Sequence, residues 1–302
     1  MKENQTFRTE IKSTLKENSI DHKSSILLIG SCFSENIGKK LNYFGFDAIT
    51  NPYGILFNPI AIQNSIEECL SKKKYTKKDL FFFNEQYHNY NFHSVFSDTN
   101  PDLLLEKINA TIEQTHFKLK KATHIIITLG SAFAYRLLET DAIVANCHKV
   151  PQKKFSKKIL SVQEISTSLK KIISSIKNNN KNAKILFTIS PIRHLKDGIA
   201  ENSRSKANLI AATYDALENN CFYFPSFEIM NDDLRDYRFY ESDMIHPNQT
   251  AIDYIWTIFK NEWLADKTSQ IMKEVETIRR GKQHRAFNPN SEKHKKFLSI
   301  LK

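Results

Sequence analysis

Five short apolar runs punctuate the chain: SILLIG (25–30), FDAIT (46–50), THIIITLG (123–130), AKILFTIS (183–190) and CFYFPS (221–226). Each is nearly continuous rather than alternating, the pattern of strands covered on both faces in a parallel sheet. Between them the apolar period becomes helical, in SENIGKKLNYF, NPIAIQNSIEECL, PDLLLEKINATIEQTHF, SVQEISTSLKKIISSI and NSRSKANLIAATYDAL. A further helical pattern, NQTAIDYIWTIFKNEWL, follows the last run. Strand and helix in alternation imply βαβ units with right-handed crossovers. The expected fold is α/β, a three-layer sandwich around a central five-stranded parallel sheet.

Two segments break this rhythm. Residues 71–98 are aromatic and polar and read as an insertion or small hairpin. Residues 136–160, which contain NCHKVP, read as an irregular connection. Beyond 265 the chain is strongly basic (KEVETIRRGKQHR, then SEKHKKF), the pattern of a helix followed by a surface tail. There are no internal repeats. The expected organisation is one domain over 1–264 with two insertions, then a basic C-terminal helix and tail over 265–302.

Composition narrows the function classes. The chain has 302 residues, 40% hydrophobic and 25% charged, as expected of a soluble globular protein. No apolar run approaches the ~18 residues of a membrane span, and MKENQTFRTEIKSTLKENS lacks the apolar stretch of a secretory signal. A cytoplasmic location is the expectation. Net charge is +11, from 44 basic and 33 acidic residues. The lysines are dispersed in short groups and no nucleic-acid motif accompanies them, so no specific nucleic-acid partner is expected. The cysteines, at 32, 69, 147 and 221, form no C-x-x-C pair or zinc spacing. Neither G-x-G-x-x-G nor G-x-x-x-x-G-K-[ST] occurs. No metal and no cofactor are expected.

With only seven glycines in the chain, their positions are informative. Gly30 and Gly130 each end an apolar run, and Gly54 follows one within a few residues. Glycine serves where the backbone turns sharply or a ligand comes close, and open α/β sheets bind ligands at the carboxyl ends of their strands. The three could converge on one crevice, or simply permit turns. At the first of them, ILLIGSCFSENIGKKL (26–41) places Ser31, Cys32 and Ser34 on one strand-to-helix turn. A second arresting stretch, YESDMIHPNQTAIDYIW (240–256), sets Asp243 three residues before His246 and just ahead of a helix that Asn248 can cap. On a turn that spacing can seat a carboxylate on one imidazole nitrogen and leave the other for a nucleophile.

Further stretches belong with these two: NPYGILFNP (51–59), FHSVFS (92–97), TLGSAFAYR (128–136), NCHKVP (146–151), SPIRHLKDG (190–198), ENSRSKA (201–207) and YFPSFEIMNDDLRDYRFYESDMIHP (223–247). Together with GSCFS (30–34) they resemble the GSCFA domain family, part of the SGNH (GDSL-like) hydrolase superfamily, over roughly residues 7–260. In the naming motif, Ser34 stands where the family usually has alanine. The resemblance implies an SGNH/flavodoxin-like sheet and a catalytic triad of Cys32 as nucleophile, His246 as general base and Asp243 as its orienting partner. It also implies oxyanion donors in the backbone N–H groups of Cys32 and Gly54, with Ser31 and Gly130 in supporting positions. The third block of the superfamily reads G-x-N-D, whereas this chain has Gly130-Ser131-Ala132-Phe133. The asparagine donor is therefore absent, and Ser131, Asn51 and Asn58 are the candidates to replace it.

Alternatives stay open at this point. Cys32 could be a buried structural thiol, or Ser31 the nucleophile. His93 and His148 are candidate substrate contacts, as is Asn58, although such histidines are commonly packed and hydrogen-bonded. Arg193 is placed to hold a carboxylate or phosphate, or to pair with the acidic run at 232–236. The expected function is an SGNH-like hydrolase or acyltransferase acting on a small-molecule or glycan acyl ester, O-acetyl esters included. The alternative is a non-catalytic module that keeps the crevice to hold a small ligand or glycan.

Overall fold

The computed structural model describes residues 9–11 and 19–283, together with 288, 291, 292 and 296. In chain order the elements are β1 (Ser25–Gly30), α1 (Cys32–Tyr43), β2 (Asp47–Thr50), α2 (Pro59–Leu70), β3 (Phe81–Phe83), β4 (Gln86–His88), α3 (Pro101–Lys121) and β5 (His124–Leu129). There follow β6 (Phe133–Leu137), β7 (Ile143–Val144), β8 (Phe155–Ile159), α4 (Val162–Asn179), β9 (Lys184–Ile189), α5 (Ile199–Ala216) and β10 (Cys221–Phe224). The chain continues through α6 (Ser226–Glu228), α7 (Gln249–Trp263) and α8 (Thr268–Gln283).

The five apolar runs form one five-stranded sheet in the order β10-β9-β5-β1-β2, parallel throughout. Alternate side chains of a strand point to opposite faces, which explains why the central strands β1, β5 and β9 are nearly continuously apolar and buried, while the edge strand β2 alternates exposed and half-buried positions. Leu27, Ile29, Ile125, Ile127, Ile185 and Phe187 pack with residues of α2, α3, α4 and α5 on one face. Ile26, Leu28, Ile126, Leu186 and Phe224 pack with α1 and α7 on the other. Helix α8 joins that second face through Met272, and Arg279 lies over the Tyr43 ring at 4.9 Å. The expected tail beyond Gln283 falls almost wholly outside the described residues.

After β2 the chain passes back over β1 to place β5 on its other side. The strand order therefore reverses between β1 and β5, and a crevice opens there at the carboxyl ends of the two strands. The expected hairpin within 71–98 is β3–β4. The irregular connection expected over 136–160 is instead ordered: β6 pairs antiparallel with both β7 and β8. Its strands are two to five residues long and largely half-exposed, too short to impose a readable period. Among the described residues no helix is long and apolar enough to cross a membrane.

Candidate active site

The strand-to-helix turn is built on Gly30. Its φ is +138°, and a Cβ there would lie 2.0 Å from the Thr128 carbonyl oxygen, so only glycine lets β1 end against β5 in this way. Ser31 caps α1: its Oγ accepts the Phe33 N–H at 3.3 Å and donates to Ser190 Oγ at 2.9 Å, tying the turn to the end of β9. At 1% exposure Ser31 is an interior residue. One turn into α1, Ser34 is buried and donates to Thr128 Oγ1 at 2.7 Å. Cys32 opens the helix half-buried, and it is an unpaired thiol.

Burial pushes the Cys32 thiol up from its ordinary range, and Glu35 adds to that push. The Ser31 hydroxyl, the thiol's own backbone N–H and the Lys206 ammonium pull it the other way. Desolvation outweighs these lowering contributions. Among the described residues no hydrogen bond joins Cys32 Sγ to His246.

The three glycine turns interlock through residues 51–57. Asn51 Oδ1 accepts the Gly30 N–H at 2.9 Å, and the Asn51 carbonyl accepts the Gly54 N–H at 2.8 Å. The Phe57 carbonyl accepts the N–H groups of Gly130 at 2.9 Å and Ser131 at 3.0 Å. Gly54 has φ +76°, and a Cβ there would lie 2.3 Å from His93 Cβ. Its N–H, assigned by resemblance to an oxyanion hole, is thus taken up within a turn. Asn58 caps α2 by accepting the Ala61 N–H on Oδ1 at 2.8 Å. A cavity of about 300 Å³ opens beside these turns, lined by Phe57, Asn58, Ser131, Phe133, Tyr135 and His194 among others, with Cys32, Asp243 and His246 outside its lining.

Asp243 and His246 are brought together. Asp243 Oδ2 lies 2.7 Å from His246 Nδ1, while Oδ1 accepts the N–H groups of Ile245 at 2.8 Å and His246 at 3.0 Å. These bonds hold the Asp243 carboxyl down at about 2. The loop closes on itself, with the Glu241 N–H donating to the His246 carbonyl at 2.7 Å. Asn248 then caps α7 by accepting the Ala251 N–H at 3.1 Å. The Arg193 N–H donates to the Ile245 carbonyl at 3.2 Å, which fixes the loop beside the segment following β9.

The other predicted residues lie around this centre. The Arg193 guanidinium stacks on Tyr240 at 4.0 Å and Tyr237 at 5.2 Å. In the acidic run, Asp232 and Asp236 pair instead with Arg235 and Arg238. His93 caps a short turn, with Nδ1 accepting the Val95 N–H at 3.4 Å. His148 is buried at the base of the β3–β4 hairpin, 2.9 Å from the Asn89 carbonyl and packed by Phe81, His88 and Tyr90. Burial lowers it to about 4.

Two residues that the sequence reading passed over belong to the same centre. Lys206 of α5 is 1% exposed, and its Nζ donates to the carbonyls of Gly130 and Ser190 at 2.7 Å each. His194 lines the cavity with a buried, unpartnered Nε2, and burial, Lys206 and His246 together lower it to about 4. Both lie in stretches that contributed to the resemblance, SPIRHLKDG and ENSRSKA. Among the described residues no group of three or more His, Cys, Asp or Glu could hold a metal ion.

A glycine-closed turn carrying a half-buried thiol, facing the switch point of a parallel sheet, defines an α/β protein with its crevice at the strand ends. The chain belongs to the GSCFA family, whose model matches residues 25–259. Among curated proteins none matches its sequence. Among solved structures it is similar to a carbohydrate esterase family 3 from Talaromyces cellulolyticus, at 8% identity and a TM-score of 0.39, covering 83% of this chain and 99% of that one. It is also similar to an acetyl xylan esterase (Est2A) from the rumen bacterium Butyrivibrio proteoclasticus, at 10% identity and a TM-score of 0.40, covering 80% of this chain and 65% of that one.

Proposed function

We propose that this protein is a hydrolase or acyltransferase that acts on an acyl ester, with Cys32 as nucleophile, His246 as general base and Asp243 as the group that orients it. The observation that carries this reading is the Asp243–His246 pair. Asp243 Oδ2 on Nδ1 at 2.7 Å fixes the imidazole and leaves Nε2 as the nitrogen available for proton transfer. Catalytic contacts commonly tighten only when substrate binds, and here the approach of Nε2 to the Cys32 thiol is assigned to that step.

In the proposed reaction His246 takes the Cys32 thiol proton as the sulfur adds to the acyl carbon and the carbonyl electrons move onto oxygen. Collapse breaks the carbon–oxygen bond of the ester, and His246 gives a proton to the departing alkoxide. His246 then takes a proton from water, or from an acceptor hydroxyl, as that group attacks the thioester. An acid or an acylated acceptor leaves, and the thiolate returns. The crevice lined by Phe57, Phe133 and Tyr135 offers aromatic surface to the substrate. Asn58 offers an amide donor, because its Oδ1 is already committed to the α2 cap.

A second reading, a non-catalytic module that binds a small ligand or glycan, is favoured by one observation. The N–H groups of Gly54 and Gly130 are both engaged by backbone carbonyls, which leaves fewer donors for an oxyanion. Turnover of short-chain nitrophenyl esters separates the two. Activity that disappears in Cys32→Ala and His246→Ala supports the enzyme. Ligand-dependent thermal stabilisation with no turnover supports the module, and turnover that persists in both variants removes the mechanism.

A further inference from the structure

Lys206 is a fully buried lysine that makes no ion pair among the described residues. A buried ammonium without an opposite charge is costly unless something compensates it. The Gly130 and Ser190 carbonyls solvate this one at 2.7 Å each, but they do not neutralise it. Both residues abut the turn at Cys32. Ser190 Oγ accepts the Ser31 hydroxyl at 2.9 Å, and a Cβ on Gly130 would lie 3.2 Å from Ser31 Cβ. The ammonium is therefore anchored immediately behind the residue that precedes Cys32. The ionisable groups around it are Cys32 and His194; Glu35 also acts on Cys32, and His246 on His194.

We propose that Lys206 is a positioning residue for Cys32: its ammonium, anchored on the Gly130 and Ser190 carbonyls, is the counter-charge of the Cys32 thiolate. The inference rests on the reading of Cys32 as nucleophile. In the ionisation it favours, the S–H bond breaks, the electron pair stays on sulfur and the proton passes to His246 during turnover, or to solvent in the free protein, while Lys206 keeps its own N–H bonds. The coupling is mutual. Burial draws Lys206 down to about 7, and the thiolate draws it back up. The two titrations are therefore coupled.

The test follows iodoacetamide alkylation of Cys32, read by peptide mass spectrometry, from about pH 6 to pH 10. It compares the intact protein with Lys206→Met and Lys206→Gln, the latter keeping amide donors for the two carbonyls while removing the charge. Loss of the ammonium should raise the alkylation midpoint by about one pH unit or more, slowing the reaction at neutral pH roughly tenfold. A folded Lys206→Gln protein with an unchanged alkylation profile overturns the proposal. Should neither variant fold, the reciprocal experiment uses Cys32→Ala and follows the Lys206 Nζ resonance with pH. Lys206 should then lose its proton at lower pH than in the intact protein, and an unchanged titration overturns the proposal equally. Ester turnover keeps the two claims apart. Turnover surviving in Cys32→Ala removes the nucleophile assignment, whereas unchanged alkylation alongside Cys32-dependent turnover removes only the role of Lys206.

Discussion

Asp243 and His246 are joined side chain to side chain at 2.7 Å on a loop whose backbone N–H groups also converge on the same carboxylate. The pair is preformed within four residues of chain, and both side chains are about half exposed. Asp243→Asn should therefore leave the melting curve close to the parent's, as for other surface changes. Ester turnover should fall by about 10²-fold or more, because the imidazole loses the charge that orients it. Steady-state kinetics alongside thermal melts measure both quantities. Turnover equal to the parent would remove Asp243 from the mechanism.

Gly30→Ala is expected to damage the fold itself. A methyl group would overlap the Thr128 carbonyl at 2.0 Å, at a φ of +138°. Backbone strain alone costs about 1–3 kcal/mol, and separating β1 from β5 adds to it. Denaturant unfolding should show a loss of about 3 kcal/mol or more, with turnover abolished. Gly45→Ala is the informative contrast: it shares a positive φ of +81° but meets nothing within 4 Å, so it should show strain without collision.

Asn58 separates a structural from a chemical role within one side chain. Asn58→Asp keeps the oxygen that caps α2 and removes the amide donor facing the crevice. The fold should survive, because the carboxylate keeps the cap at a helix N-terminus, at a cost in stability for placing a charge at a site only 5% exposed, while kcat falls roughly 10²–10³-fold, as for loss of one oxyanion donor. Parental kcat in the Asp variant would exclude Asn58 as the replacement for the missing asparagine. Asn58→Ala should lose the cap as well, by about 1 kcal/mol.

Stability should fall on mild acidification, and His148 is one source. It is 6% exposed, and burial lowers it to about 4 from an ordinary value of 6.5. Between those values the unfolded chain binds the proton and the folded one does not, so stability rises with pH across this window. The contribution is complete above about 6.5 and is lost as pH drops to about 4, amounting to roughly 3 kcal/mol. Melting temperatures for the parent and His148→Gln across the window check this. The variant should have the shallower pH dependence, and equal slopes would assign the acid sensitivity to other groups.

Local patterning made much of the scaffold legible. The continuous apolar runs gave the five sheet strands to within about two residues, because strands buried on both faces need apolar side chains at every position. Asn248 was readable as a helix cap from its place ahead of a helical pattern, whereas the cap made by Asn58 emerged only in the structure. The short strands β6, β7 and β8 were not readable, since two to five half-exposed residues carry no usable period. Lys206 was hidden for a different reason. A lysine within ENSRSKA reads as solvated, and only the packing of α5 over the ends of β5 and β9 buries it against two carbonyls.

By itself, then, the sequence determined the class of fold, the turn at Gly30-Ser31-Cys32 and the Asp243–His246 pair, all features written within a few neighbouring residues. The tertiary structure alone decided the order of the strands, which sets β1 beside β5 and opens the crevice between them. It also decided that Ser31 meets Ser190 and that Lys206 is buried against the carbonyls of Gly130 and Ser190. The physical reason is range. Periodicity and capping report the burial and hydrogen bonding of nearby residues, whereas the charge state of Cys32 depends on groups that only packing brings to it from distant parts of the chain.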